Sequence, residues 1–127
     1  MIKFTAKSIA GSGRGTSLGC PTVNLDTSDV PEDLEEGIYA CHAIIDGHMY
    51  HAVMHYGPRP TFNDTRSCEV HLLEDIQSNS FPESVIVRIY GRIRDVENFE
   101  SVEDLKERVK EDIKEAYAIL CNHVKKD

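Results

Sequence analysis

The chain has 127 residues and a formal charge of −8, with 14 Lys and Arg against 22 Asp and Glu. That length predicts one domain, spanning 1–127, that buries a core without disulfide or metal staples. The acidity opposes nucleic-acid and anionic-membrane partners, which need clustered cations. It leaves room for a small phosphorylated ligand neutralised by one basic loop and a metal ion.

No apolar run approaches transmembrane length, and Met1-Ile2-Lys3-Phe4 lacks the apolar segment of a signal peptide, so a cytoplasmic protein is expected. The cysteines, Cys20, Cys41, Cys68 and Cys121, form no Cys-x-x-Cys pair. They read as reduced, mostly buried thiols, and a zinc site is not expected.

In chain order, residues 2–9 alternate loosely and predict a first strand. A glycine-rich stretch follows, Gly11-Ser12-Gly13-Arg14-Gly15. Pro21 and the β-branched Thr22 and Val23 then predict extended chain over 22–25. Residues 27–36 are polar and acidic and read as a loop. From Gly37, Ile38, Ala40, His42 and Ile44 alternate with Tyr39, Cys41, Ala43 and Ile45, a strand pattern that runs into a hairpin at Asp46-Gly47. The return strand covers about 49–56 and is broken by Gly57-Pro58-Arg59-Pro60. Residues 68–73 form another strand, with Val70 and Leu72 on one face and Glu69, His71 and Leu73 on the other. Residues 78–83 are a loop. Residues 85–93 are the longest strand, in which Gly91 marks a bulge or a close backbone approach. Ser101 then reads as a helix N-cap, with Asp104 three residues on. Val102, Leu105, Val109, Ile113, Ala116 and Leu120 recur at helical spacing, which predicts a helix over 102–122 with this stripe as its core face. The expected fold class is an all-β barrel with helix: a small antiparallel, Greek-key-like β-barrel, closed or nearly so, capped by one C-terminal helix.

The chemistry concentrates early. Glycines at 11, 13 and 15 let exposed backbone N–H groups form an anion cradle, and Arg14 adds a guanidinium fork suited to phosphate. Thr22 and Asn24, two residues apart on a strand, face the same side and offer neutral oxygens that suit Mg²⁺. Neither the Gly-Lys-Ser/Thr of a Walker loop nor the three-glycine Rossmann spacing is present. Glu69 could act as a general base on an alcohol beside such a site. Its spacing alone reads more simply as a solvated strand carboxylate. Arg94, Asn98 and Phe99, between the long strand and the helix, could bracket a flat polar ring; Phe99 reads more simply as a hydrophobic staple and Arg94 as a rim charge. The rigid turn from Tyr56 to Phe62 could wall a ring pocket or be a turn alone. Histidines 42, 48, 51, 55 and 71 lie in strand-like segments and read as surface or partly buried strand residues.

Taken in order, these blocks resemble the riboflavin kinase family. They are Gly13-Arg14-Gly15, Leu18-Gly19-Cys20-Pro21-Thr22-Val23-Asn24, Gly37-Ile38-Tyr39, Glu69-Val70-His71-Leu72, and Ile93-Arg94 leading to Asn98-Phe99-Glu100-Ser101. The resemblance implies an antiparallel barrel that transfers the ATP γ-phosphate to the ribityl 5′-hydroxyl of riboflavin, giving FMN and ADP. It implies Thr22 and Asn24 as ligands of Mg²⁺ and phosphate, and the 11–15 loop, with Gly11, Gly13, Arg14 and Gly15, over the nucleotide. It further implies Glu69 as the catalytic base, and Arg94, Asn98 and Phe99 on the flavin side. The expected partners are therefore small molecules, and the expected state is a monomer. The alternative is a non-catalytic flavin- or nucleotide-binding barrel. It is motivated by Ser80-Phe81-Pro82-Glu83, where many members carry a Tyr-Gly pair. Val23 replaces the alanine common in the family, a mild change facing away from the ligands. With no adenylyltransferase domain in the sequence, FAD synthesis is not expected.

Overall fold

The computed structural model describes residues 2–9, 21–59, 62–74, 83–97 and 99–125. It contains strands β1 (Ile2–Lys7), β2 (Thr22–Leu25), β3 (Gly37–Ile45), β4 (His48–Arg59), β5 (Phe62–Leu72) and β6 (Ser84–Arg94), then helix α1 (Val102–Lys125). The strands form one antiparallel sheet in the order β1-β6-β3-β4-β5-β2.

The sheet curls so that its two edge strands meet. Ser8 bridges Leu25, Ile9 N donates to Asn24 O at 2.9 Å, and Asp26 N donates to Lys7 O at 2.8 Å. A 3-10 turn at Thr27–Asp29 ties down the same corner, where Lys7 N donates to Asp29 Oδ2 at 2.9 Å. These bonds occupy edge groups that would otherwise be open to pairing with another chain.

Strand alternation sorts the residues onto two faces. Phe4, Val23, Leu25, Tyr39, Cys41, Met54, Tyr56, Cys68, Val70, Leu72, Val85 and Val87 fill the barrel interior. Tyr56 belongs to this interior, so it does not wall an outer pocket. Burial pushes the Cys68 thiol up to about 12 and Cys41 higher still, which makes both inert at neutral pH. On the outer face, Ile38, Ala40 and Val53 pack with Ala116 and Leu120 of α1, flanked by Leu73, Tyr90, Ile93 and Ile119. β3 is therefore apolar on both sides, with the core on one and α1 on the other.

The turn chemistry follows the sequence. Asp46 and Gly47 have φ of 50° and 82°, the paired left-handed positions of a two-residue hairpin. Ser101 Oγ accepts from Asp104 N at 3.1 Å and caps α1. Gly91 proves to be both a bulge and a close approach. The β3–β6 register shifts beside it, and a Cβ there would lie 3.3 Å from the Ile119 side chain.

Three expectations are corrected. β4 does not break at Gly57-Pro58 but continues to Arg59, and β5 correspondingly starts at Phe62 rather than 68. β4 pairs with β3 only as far as Tyr56 and with β5 alone beyond it. Proline's missing N–H is tolerated on such an edge stretch. The helix runs to Lys125 rather than 122. Its apolar stripe is buried only in its second half. Ala116 and Leu120 are fully covered, whereas Val102 is 61% exposed and Leu105 38%.

Midway along α1, Asp112 is buried and receives a two-pronged ion pair from Arg94. Arg94 Nε donates to Oδ1 at 2.9 Å and Nη2 to Oδ2 at 2.8 Å, and both side chains are more than nine-tenths buried. Arg94 Nη1 also donates to Asp95 O at 2.9 Å. This fork fastens the end of β6 and the linker after it to the helix.

Two stability predictions follow from these contacts. Asp112→Ala strands a buried guanidinium and should cost about 3–5 kcal/mol, whereas joint replacement of Arg94 and Asp112 by apolar residues should cost much less. Gly57 has φ of 156°, and a Cβ there would lie 2.9 Å from Val96 Cγ2. Gly57→Ala should therefore cost about 1–3 kcal/mol. Chemical denaturation of the variants checks both.

Candidate active site

The polar residues singled out on β2 and β5 lie on the outer face, arranged by strand register. Asn24 sits directly opposite Glu69, and Glu69 opposite His55 of β4. Thr22 sits opposite His71, and His71 opposite Val53. Following the pairings into β3 gives two parallel rungs across the sheet: Ile38–His55–Glu69–Asn24 and Ala40–Val53–His71–Thr22. Each rung begins in the apolar patch under α1 and ends in polar groups at β2. Directly opposed residues on one face have Cβ atoms about 5 Å apart. Thr22, Asn24, Glu69 and His71 are thus gathered into one patch by two strands far apart in sequence.

The environment sharpens this grouping. Thr22 and Asn24 are both buried, at 2% and 6% exposure, on a strand whose inner face carries the apolar Val23 and Leu25. Polar side chains are buried where they have partners. The Thr22 hydroxyl has one in His71 Nδ1, 3.0 Å away. Burial pushes the His71 pKa below its ordinary value of 6.5, an effect reinforced by His55 and opposed by the carboxylate of Glu69. The neutral imidazole is thereby favoured at neutral pH.

Thr22 and Asn24 offer a hydroxyl and an amide oxygen, with the Glu69 carboxylate on the position opposite Asn24. Such a set suits a hard cation of the Mg²⁺ type and not one that seeks sulfur or nitrogen. Among the described residues, no group of three His, Cys, Asp or Glu is placed to hold a metal.

The end of β6 and the segment after it pack against Gly37 and Gly57. A Cβ at Gly37 would meet Arg92 Nε of β6 at 2.7 Å, and one at Gly57 would meet Val96 Cγ2, in the segment after β6, at 2.9 Å. Arg92 Nη2 donates to Glu36 O at 2.5 Å and to Asp95 Oδ1 at 2.6 Å. The Arg94 guanidinium lies over the Phe99 ring, 5.7 Å from its centroid. Asn98 lies outside the described residues, as do Gly11, Gly13, Arg14, Gly15 and residues 80–82.

Sequence reasoning passed over two contributors. His71 was grouped with the other strand histidines, yet its place two residues after Glu69 puts it on the same face. Asp112 is an acidic residue between Val109 and Ala116 on the helix face meant for the core, a departure from amphipathic pattern that signals a buried partner. Two further histidines have side-chain partners of their own. His42 Nδ1 is 3.2 Å from Tyr90 Oη, and His51 Nδ1 is 2.8 Å from Glu74 Oε1. No helix among the described residues is long and apolar enough to cross a membrane.

The family model described as Flavokinase: Riboflavin kinase matches residues 1–120. The chain is 32% identical over 114 residues to the riboflavin kinase of Homo sapiens, covering 85% of this chain and 74% of that one. It is 30% identical over 118 residues to the bifunctional riboflavin kinase/FMN adenylyltransferase of Bacillus subtilis (strain 168), covering 90% of this chain but only 37% of the relative's length. The crystal structure of riboflavin kinase from Trypanosoma brucei shares the fold with a TM-score of 0.61 at 19% identity, over 93% of this chain and 78% of that one. With the match running almost end to end and the outer-face patch built from the strands that carry its most specific blocks, the chain belongs to the riboflavin kinase family.

Proposed function

We propose that this chain transfers the γ-phosphate of ATP to the 5′-hydroxyl of riboflavin, giving FMN and ADP, with Mg²⁺ as the accompanying cation. The observation that carries the proposal is the pairing of Asn24 with Glu69 on one face, with Thr22 beside them. A cation ligand and a candidate base are thereby held at a fixed cross-strand spacing. Thr22 and Asn24 would hold the divalent ion, which when bound supplies positive charge to the phosphate oxygens and balances the charge of the triphosphate.

Glu69 is the proton acceptor. The ribityl oxygen attacks the γ-phosphorus, its proton passes to the Glu69 carboxylate, and the bond from phosphorus to the bridging oxygen of ADP breaks. Phosphoryl transfer depends chiefly on positioning and charge balance, so side chains fixed in a sheet are suited to it. The loop with Gly11, Gly13, Arg14 and Gly15 would cover the phosphates through backbone N–H groups and one guanidinium. On the flavin side, Phe99 offers an aromatic face and Asn98 an amide. Arg94, committed to Asp112, would act by holding that segment in place.

Incubation with riboflavin, ATP and Mg²⁺, followed by mass spectrometry, should reveal FMN and ADP; CTP run in parallel identifies the donor. Chelation of the divalent cation should stop the reaction. Glu69→Gln should lower kcat by about 10²–10⁴-fold with the fold intact by circular dichroism, and Asn24→Ala should raise the Mg²⁺ concentration required. Flavin binding without product would instead identify a non-catalytic binder. Turnover indifferent to both substitutions would remove the site assignment.

A further inference from the structure

A hydroxyl that ligates a cation does so through its oxygen lone pairs, so its hydrogen must point away from the ion. At Thr22, which is 2% exposed, that hydrogen has little access to solvent. Left unpaired, a buried donor carries a desolvation penalty, and the hydroxyl would turn to whatever acceptor lay nearest. The acceptor within reach is His71 Nδ1, 3.0 Å from Thr22 Oγ1 on the directly opposed position of β5. The backbone of His71 is itself fixed by strand pairing on both sides, between Thr22 and Val53.

We propose that His71 is a positioning residue for cation-dependent nucleotide binding: its Nδ1 takes the hydrogen of the Thr22 hydroxyl and so turns the Thr22 lone pairs toward the ion. The arrangement requires the imidazole tautomer that carries its hydrogen on Nε2. It is the same logic by which residues behind metal ligands fix their orientation. The inference rests on the reading of Thr22 as a cation ligand, and it makes no use of His71 as an acid or base.

Binding of a non-hydrolysable ATP analogue, measured by calorimetry with Mg²⁺ and again in EDTA, tests it. His71→Ala should weaken the Mg²⁺-dependent binding by about tenfold or more and leave binding in EDTA unchanged. His71→Asn, whose amide oxygen falls near the position of Nδ1, should recover most of the loss. His71→Gln, whose acceptor lies one bond farther out, should not. In steady-state turnover, KM for Mg·ATP should rise more than kcat falls. In a Thr22→Val background, His71→Ala should add nothing further, since the hydroxyl it serves is gone.

Equal binding by wild type and a folded His71→Ala overturns the proposal, as do additive effects in the double variant. If His71→Ala does not fold, the Asn and Gln variants decide: equal affinities for the two overturn it. Asn24→Ala separates the two levels of failure. If it weakens Mg²⁺-dependent binding and His71→Ala does not, only the role of His71 falls. If neither it nor Mg²⁺ removal matters, the cation site itself is wrong.

Discussion

Everything in the proposed chemistry depends on the register of four residues, Thr22–Leu25, against β5. Side chains alternate along a strand, so a slip of one position would send Thr22 and Asn24 into the barrel and bring Val23 and Leu25 outside. Two sets of contacts prevent the slip. Inside, Val23 and Leu25 are paired with Val70 and Cys68 and are almost wholly buried. Along the backbone, Leu72 N donates to Pro21 O, and Ile9 N and Asp26 N hold the other edge of β2 against the end of β1. The apolar interior thus specifies where the polar exterior points. Val23 in place of the family's common alanine lies within this interior and leaves the outward residues untouched.

A second constraint places the segment between β6 and α1. Gly57 leaves room for its Val96, and the fork of Arg94 on Asp112 fastens the strand end from which it starts. A buried ion pair is weak evidence for net stability, because desolvation offsets most of the attraction. Its geometric effect is more definite: two parallel hydrogen bonds fix both position and orientation. α1 contributes through this fork and through Ala116 and Leu120, while the exposed Val102 and Leu105 show that its first turns project beyond the sheet.

Much of this was legible in the residues. Alternation, β-branched residues and the hairpin turn located five of the strands within a few positions. Asp46-Gly47 marked its turn, and Ser101 its cap, because each is a local device whose chemistry is contained in adjacent residues. Gly57-Pro58 misled because proline's cost depends on whether its missing N–H faces a partner strand, which pairing alone decides. The outward face of Glu69 followed from its spacing to Val70 and Leu72. Its position opposite Asn24 did not, since residues 45 positions apart meet only through sheet order. His71 and Asp112 were passed over for the same reason: each is defined by a partner on another element.

The donors at Thr22 and Asn24 and the carboxylate at Glu69 belong to hydrogen-bonded strands of a barrel wall and not to loops. Their mutual spacing is therefore indifferent to whatever surrounding segments do as molecules enter and leave. Such an architecture uncouples the precision of the proposed reacting centre from the traffic through it. Evolution or engineering can retune entry and exit by rewriting connecting segments while the reactive groups keep their alignment.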